Sequence, residues 1–136
     1  MTIYYVERHP ILGQQVAAAL FPGNDSDVIP VISDLTRMEC RVLPLRLQDR
    51  ELLDRYDAFF SLPECGRAAL DCAVFDLATH IRAQDGLKTP DALHLAAALR
   101  AGCNQFWTQD DRLAKAAAQR IQVVVFDIST SGDPHV

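Results

Sequence analysis

The sequence lacks a long apolar run, a leader segment and any pairing of its cysteines. No hydrophobic stretch approaches the ~20 residues that a membrane-spanning helix needs. The first residues, MTIYYVERHP, have neither the basic region nor the small-residue cleavage site of a signal peptide. We therefore expect a cytoplasmic protein with no membrane association. Its cysteines form no Cys-x-x-Cys pair and are interpreted as buried thiols, not disulfide or zinc ligands: Cys40, Cys65, Cys72 and Cys103.

Positive charge is also scarce. The chain has 13 Lys and Arg against 18 Asp and Glu, which gives a net charge of −5. This balance excludes a general positive field, the usual source of affinity for nucleic acid. A substrate that contains phosphate would have to be held locally, by a few arginines or by a metal ion.

What is present is the pattern of one α/β domain over residues 1–136. A length of 136 residues with 49% hydrophobic residues is enough for one core. Apolar strands are predicted at 27–34, 66–71, 104–110 and 122–128, and helices at 9–22, 35–45, 49–63, 72–86, 88–102 and 111–120. Pro44 is expected to end or kink its helix, and residues 128–136 are expected to be a frayed tail. Strands that alternate with helices predict a layered α/β fold with a mostly parallel sheet.

The segment KTPDALHLAAALRAG, residues 88–102, places an acid at the head of an otherwise apolar helix. Thr89 is predicted to be the N-cap and Pro90 the first helical residue, which puts Asp91 in the first turn. An acid there interacts favourably with the helix dipole, by roughly 0.3–1 kcal/mol, and Gly102 supplies the C-terminal stop. Asp91 can therefore be explained as an ordinary capping acid.

Two further acids occupy positions that an α/β fold could bring close to Asp91. Glu39 lies in the helix after the strand VIPVIS, and Asp110 ends the strand QFWTQD, whereas Asp111 is interpreted as the cap of the next helix. In such folds, ligands bind at the carboxyl ends of the strands. Two unpaired carboxylates about 4 Å apart repel by roughly 4 kcal/mol at an effective dielectric of about 20, so a cluster needs a cation. Ligation by oxygen alone suits Mg²⁺ or Mn²⁺, which can activate a water for displacement at phosphorus.

The segments LTRMEC, KTPDALHLAAAL and FWTQDDRLAK, in this order, resemble the PIN-domain family, specifically the VapC-type toxins of bacterial toxin–antitoxin pairs. The resemblance extends over essentially the whole chain, and TPDALHLAAAL followed by T-x-D-x-R-L is its specific part. It implies a three-layer α/β/α fold and a Mg²⁺-dependent endoribonuclease that a cognate antitoxin holds inactive. Glu39, Asp91 and Asp110 fall on the family's second, third and fourth acidic positions. A homodimer is also implied, with the N-terminal apolar region helping to hold the antitoxin and the dimer.

The N-terminus departs from the family pattern. Family members begin with a strand that ends in Asp, followed by a helix that TIYYVERHP resembles, so we expect the first strand and its aspartate to lie upstream of Met1. Glu7 would then fall about two turns down that helix, too far to substitute. The expected fold has its first, central strand missing, as in a truncated copy. Two alternatives stay open: a catalytically inactive PIN domain that binds an antitoxin as an interaction module, and a structural domain whose acids never meet.

Three polar residues near these acids have two interpretations each. His94 is one helical turn after Asp91 and is either a partly buried structural histidine or a group that touches the site. Thr36 and Thr108 each shortly precede one of the other two acids. They either orient those acids or serve only as capping and strand residues.

Overall fold

The computed structural model describes residues 2–6, 28–63 and 65–125, which contain five strands and five helices. In chain order they are β1 (Thr2–Val6), β2 (Val28–Ser33), α1 (Asp34–Arg46), α2 (Arg50–Phe60), β3 (Gly66–Ala68), α3 (Cys72–Asp85), α4 (Thr89–Arg100), β4 (Gln105–Thr108), α5 (Asp111–Ala118) and β5 (Gln122–Val125). The strands form one sheet in the order β3-β2-β1-β4-β5, and each neighbouring pair is parallel. The predicted α/β architecture with a parallel sheet is confirmed.

Helices cover both faces of this sheet. On one face, apolar residues of α3, α4 and α5 pack against Tyr5 and Val31. On the other face, α1 and α2 pack against Val6 and Ile32, the next residues along the same two strands. Successive strand residues point to opposite faces, so the sheet separates two apolar clusters. This is the three-layer α/β/α arrangement that the sequence predicted.

The N-terminal segment is a strand, which corrects the expectation of a helix and of a missing first strand. β1 is the middle strand of the sheet, where Tyr5 is paired with Val31 of β2 on one side and Phe106 of β4 on the other. The side chains of Tyr5 and Val6 are fully buried. The physical reason lies in the sequence TIYYV, whose β-branched and aromatic residues favour a buried strand. Thr2–Val6 therefore fills the position that the missing strand was expected to occupy.

Two of the described helices, α1 and α4, contain a proline. α4 begins at Thr89 with Lys88 as its N-cap, so the predicted cap at Thr89 is wrong by one residue. The first N–H groups of a helix have no intrahelical partner, and Pro90 is therefore accommodated at the second helical position as well as at the first. In α1, Pro44 lies inside the helix, which continues to Arg46 before it ends.

Other boundaries follow the sequence closely. α3 is capped by Asp71, whose side chain accepts a hydrogen bond from the backbone N–H of Val74, and it stops at Gly86. Gly86 has a φ of 66°, the left-handed conformation that glycine adopts without strain. The predicted helix at 9–22 and the whole of the predicted tail at 128–136 lie outside the described residues, as does the end of the last predicted strand.

The four cysteines, all within the described residues, are thiols and not members of a disulfide. Cys40 is buried and Cys65 and Cys103 are partly buried, but Cys72 is exposed, because it begins α3 on the solvent side of its first turn. The expected burial is therefore wrong at Cys72. Within the described ranges, no helix has the length and apolar character needed to cross a membrane.

Candidate active site

A buried network of polar side chains lies at the carboxyl ends of β1 and β2. The hydroxyl oxygen of Tyr5 is 2.9 Å from Ser33 Oγ and 3.3 Å from Thr36 Oγ1. The same oxygen is 2.6 Å from Nδ1 of His94. None of these four residues is more than 1% exposed. Leaving one such buried group without a partner would cost roughly 1–3 kcal/mol, so each member of the network stabilises the burial of the others.

The start of α1 and the middle of the sheet hold this network in place. Ser33 is the N-cap of α1 and forms a capping box with Thr36, in which each side chain accepts a hydrogen bond from the other residue's backbone N–H. The ring of Tyr5 stacks on Phe106 of β4, with centroids 5.6 Å apart and an interplanar angle of 4°. Thr36 therefore serves both as a capping residue and as a partner of Tyr5.

His94 extends the network to Glu39. Its Nε2 lies 2.7 Å from Oε1 of Glu39, and the two side chains are 1% and 13% exposed. α1 packs through Cys40 on one face of the sheet, and α4 packs on the other. Side chains from these two layers can meet only beyond the carboxyl ends of the strands. His94 is therefore a buried histidine, and its contact is with an acid of the predicted site.

Asp91 lies on the same side of α4 as His94. It is three residues earlier, in the first turn of the helix. Residues at this spacing are neighbours on a helix surface, with roughly 5–6 Å between their Cβ atoms. The side chain of Asp91 is partly buried. Because His94 binds Glu39, the Glu39 carboxylate is directed to the side of α4 on which Asp91 lies.

Asp110 follows β4, the neighbour of β1, and is the N-cap of α5. Its Oδ1 accepts hydrogen bonds from the backbone N–H groups of Arg112 and Leu113, at 2.9 and 3.2 Å. Its own N–H donates to the buried Oγ1 of Thr108 at 3.0 Å. An N-cap has an extended backbone, which Asp110 has, whereas Asp111 is already helical; the capping role predicted for Asp111 is therefore wrong. Since a carboxylate has two oxygens, capping through Oδ1 is compatible with a cation at Oδ2.

The donor chemistry of this edge suits a hard divalent cation. Glu39, Asp91 and Asp110 offer carboxylate oxygens, and His94 is engaged through both ring nitrogens. Among residues 2–6, 28–63 and 65–125, however, no three His, Cys, Asp or Glu side chains form a group that could hold a metal ion. Convergence of the three acids on one metal therefore stays a prediction.

A fourth acid, Glu7, comes directly after Val6 in the sequence. A distance of about two helical turns between Glu7 and the site is expected only if TIYYVERHP is a helix. Thr2–Val6 is a strand, so the basis for that expected distance is wrong. Glu7 itself lies outside the described residues.

Known proteins identify the family. A family model of the PIN domain matches residues 13–119. The fold is similar to that of VapBC2 from Rickettsia felis bound to a DNA fragment from its promoter (14% identity, TM-score 0.68, 93% of this chain and 100% of that chain). It is also similar to a toxin–antitoxin complex from Klebsiella pneumoniae (19% identity, TM-score 0.64, 92% of this chain and 97% of that chain). A third similar structure is FitAcB from Neisseria gonorrhoeae (16% identity, TM-score 0.64, 88% of this chain and 95% of that chain). No curated protein matches the sequence. Since the family model spans most of the chain, the chain belongs to the PIN-domain family, as its acidic motifs predicted.

Proposed function

We propose that this PIN domain is a Mg²⁺-dependent endoribonuclease, the toxin of a VapBC-type toxin–antitoxin pair. The observation that carries the proposal is the hydrogen bond between His94 and Glu39, which directs Glu39 to the side of α4 that bears Asp91. Carboxylates that share a region repel one another, so acids directed to the edge where α/β folds bind ligands would favour a cation there. Mn²⁺ is the alternative metal.

Glu39, Asp91 and Asp110 are the proposed metal ligands. When bound, the metal supplies positive charge for the phosphodiester and a water of lowered pKa. The chain itself supplies orientation: His94 holds one oxygen of Glu39, and the first turn of α5 holds one oxygen of Asp110. The net charge of −5 agrees with this division, because phosphate affinity would come from the metal and not from the surface.

The proposed protein partner is a cognate antitoxin. Helix α1 and the residue after it expose large apolar side chains, each 43–63% accessible: Met38, Val42, Leu43, Leu45 and Leu47. Contiguous apolar surface of this kind is typical of interaction sites. The Klebsiella pneumoniae protein of similar fold is part of a toxin–antitoxin complex. A homodimer is the second proposed association, and the cytoplasm, where RNA substrates are found, is the proposed location.

The direct test is cleavage of RNA by the purified chain. We expect single-stranded RNA to be cut with Mg²⁺ or Mn²⁺ and to remain intact in EDTA. Asp91→Asn should slow cleavage by about 100-fold or more, because a lost ligand removes several kcal/mol of charge stabilisation. Asp76→Asn, at an exposed acid of α3, is the matched control and should cut at the parent rate. Cleavage that persists in EDTA, or that Asp91→Asn leaves unchanged, would contradict the proposal.

An inactive PIN domain that binds its antitoxin is the second candidate. The observation in its favour is that the described part of the chain contains no group of three metal donors. Calorimetric titration with Mn²⁺ separates the two functions. The nuclease should bind Mn²⁺ and lose affinity in Glu39→Gln as well as in Asp91→Asn. The inactive module should bind no Mn²⁺ and cut no RNA, and yet retain the antitoxin.

A further inference from the structure

The side chains of Tyr5 and His94 form a buried link between the middle strand of the sheet and Glu39. We propose that His94 is a positioning residue, supported by Tyr5, that holds the Glu39 carboxylate in one orientation for a divalent cation. The inference rests on the proposed metal-dependent function.

The hydrogen-bond donors of this link follow from its chemistry. An ionised carboxylate only accepts hydrogen bonds, so Nε2 of His94 carries the proton and donates to Oε1 of Glu39. In a neutral imidazole, Nδ1 is then an acceptor, and the hydroxyl of Tyr5 donates to it. The Tyr5 oxygen in turn accepts from the hydroxyls of Ser33 and Thr36. With an ionised Glu39 beside a neutral His94, each group of the link therefore has one role as donor or acceptor.

The link is rigid at the end away from Glu39. Tyr5 is fully buried in the middle strand and stacked on Phe106, and Ser33 and Thr36 are locked in the capping box of α1. His94 lies in a helix whose residues from Ala92 to Ala98 are all buried. None of these side chains can change rotamer without disturbing close-packed neighbours.

Glu39 would be the mobile member without this link. A glutamate side chain has three rotatable torsions, and freezing them on metal binding costs entropy. A hydrogen bond from His94 to Oε1 meets that cost in advance and directs the other oxygen. Partners that orient a ligating side chain typically change metal affinity by about 10–100-fold. That range is the effect we expect from losing the donor at Nε2.

Two substitutions at His94 separate its two hydrogen bonds. The amide of His94→Gln reaches the place of Nε2 and keeps a donor for Glu39, while the bond to Tyr5 is lost. The amide of His94→Asn reaches only the place of Nδ1, so the bond to Tyr5 is kept and the donor for Glu39 is lost. Both remove the ring from a buried site and should reduce thermal stability to a similar degree. The metal affinity, in contrast, should separate them.

The experiment measures Mn²⁺ binding to the full chain by calorimetry, with RNA cleavage assayed in parallel. We expect the Kd for Mn²⁺ to rise about 10–100-fold in His94→Asn and to stay near the parent value in His94→Gln. Equal Kd values in parent, Gln and Asn variants, with RNA still cut, would overturn the positioning role alone. A raised Kd in His94→Asn with a parent-like Kd in His94→Gln, but no RNA cleavage by any of the proteins, would overturn the nuclease function alone. A parent that binds no Mn²⁺ would overturn both.

Discussion

Glu39 and His94 are 55 residues apart in the sequence, and a 2.7 Å hydrogen bond joins them across the carboxyl edge of the sheet. One residue belongs to α1 and the other to α4, helices that pack on opposite faces. Their contact therefore ties the two outer layers together at the edge where ligands bind in α/β folds. The hydroxyl of Tyr5, on the other side of the His94 ring, connects the same contact to the sheet.

The first prediction concerns that hydroxyl. Tyr5→Phe keeps the ring that stacks on Phe106 and removes only the oxygen that meets three buried partners. The free energy of unfolding should fall by about 1–3 kcal/mol, because the partners are left unsatisfied. Urea denaturation measures this directly. Ser61→Ala, which removes an exposed hydroxyl with a single backbone partner, is the control and should change stability by less than about 0.5 kcal/mol. Equal small effects would show that water replaces the Tyr5 hydroxyl.

The second prediction separates the two roles of Asp110. As an N-cap, Asp110→Ala should cost about 1 kcal/mol of stability, and Asp110→Asn much less, since Asn caps nearly as well. As a metal ligand, both variants should lose Mn²⁺ affinity, because neither keeps the charge. Chemical denaturation and calorimetric titration of the same three proteins test the two roles. Unchanged Mn²⁺ affinity in Asp110→Asn would leave Asp110 as a cap only.

The elements that could be predicted from sequence are those specified by local chemistry. Asp71 and Gly86 bound α3 because a capping side chain and a left-handed glycine act within one turn. β1 could also have been predicted locally, since TIYYV has strand propensity. The resemblance to the family pattern instead placed a helix at this segment, against its strand propensity.

The link between Glu39 and His94 could not be predicted in the same way. A histidine three residues after Asp91 indicates only that both face one side of the helix. Its partners come from β1 and α1, and their approach depends on how the two helical layers meet at the sheet edge. The shift of the α5 cap from Asp111 to Asp110 is of the same kind, because the end of β4 decides which residue stays extended.

The third prediction concerns the thiol of Cys103. Burial raises the pKa of Cys103 from 9.0 to about 11, so little thiolate forms near pH 8. Iodoacetamide should therefore modify the exposed Cys72 much faster than Cys103 in the folded protein, as mass spectrometry of peptides would show.

The same pKa shift affects stability above neutral pH. The folded state keeps the Cys103 proton in a range where the unfolded chain has lost it, so the stabilising contribution is complete below pH 9 and is lost as pH rises toward about 11. The free energy of unfolding should therefore fall less between pH 8.5 and 10.5 in Cys103→Ala than in the parent. Equal decreases in the two proteins would exclude the pKa shift of Cys103 as a cause of the decrease.

The last prediction concerns Asp91, because its capping role and its metal-binding role predict opposite effects of Asp91→Asn on the stability of the metal-free protein. If Asp91 only stabilises the first turn of α4, Asp91→Asn should cost about 0.3–1 kcal/mol through the dipole and leave the response to Mg²⁺ unchanged. If it is a ligand among other acids, removing its charge relieves repulsion, and the metal-free protein should keep or gain stability. Added Mg²⁺ should then raise the melting temperature of the parent more than that of Asp91→Asn, because only a bound folded state is stabilised by mass action. Asp76→Asn, which removes an exposed charge on α3, controls for net charge and should respond to Mg²⁺ as the parent does. Equal increases in melting temperature for all three proteins would return Asp91 to the role of an ordinary helix acid.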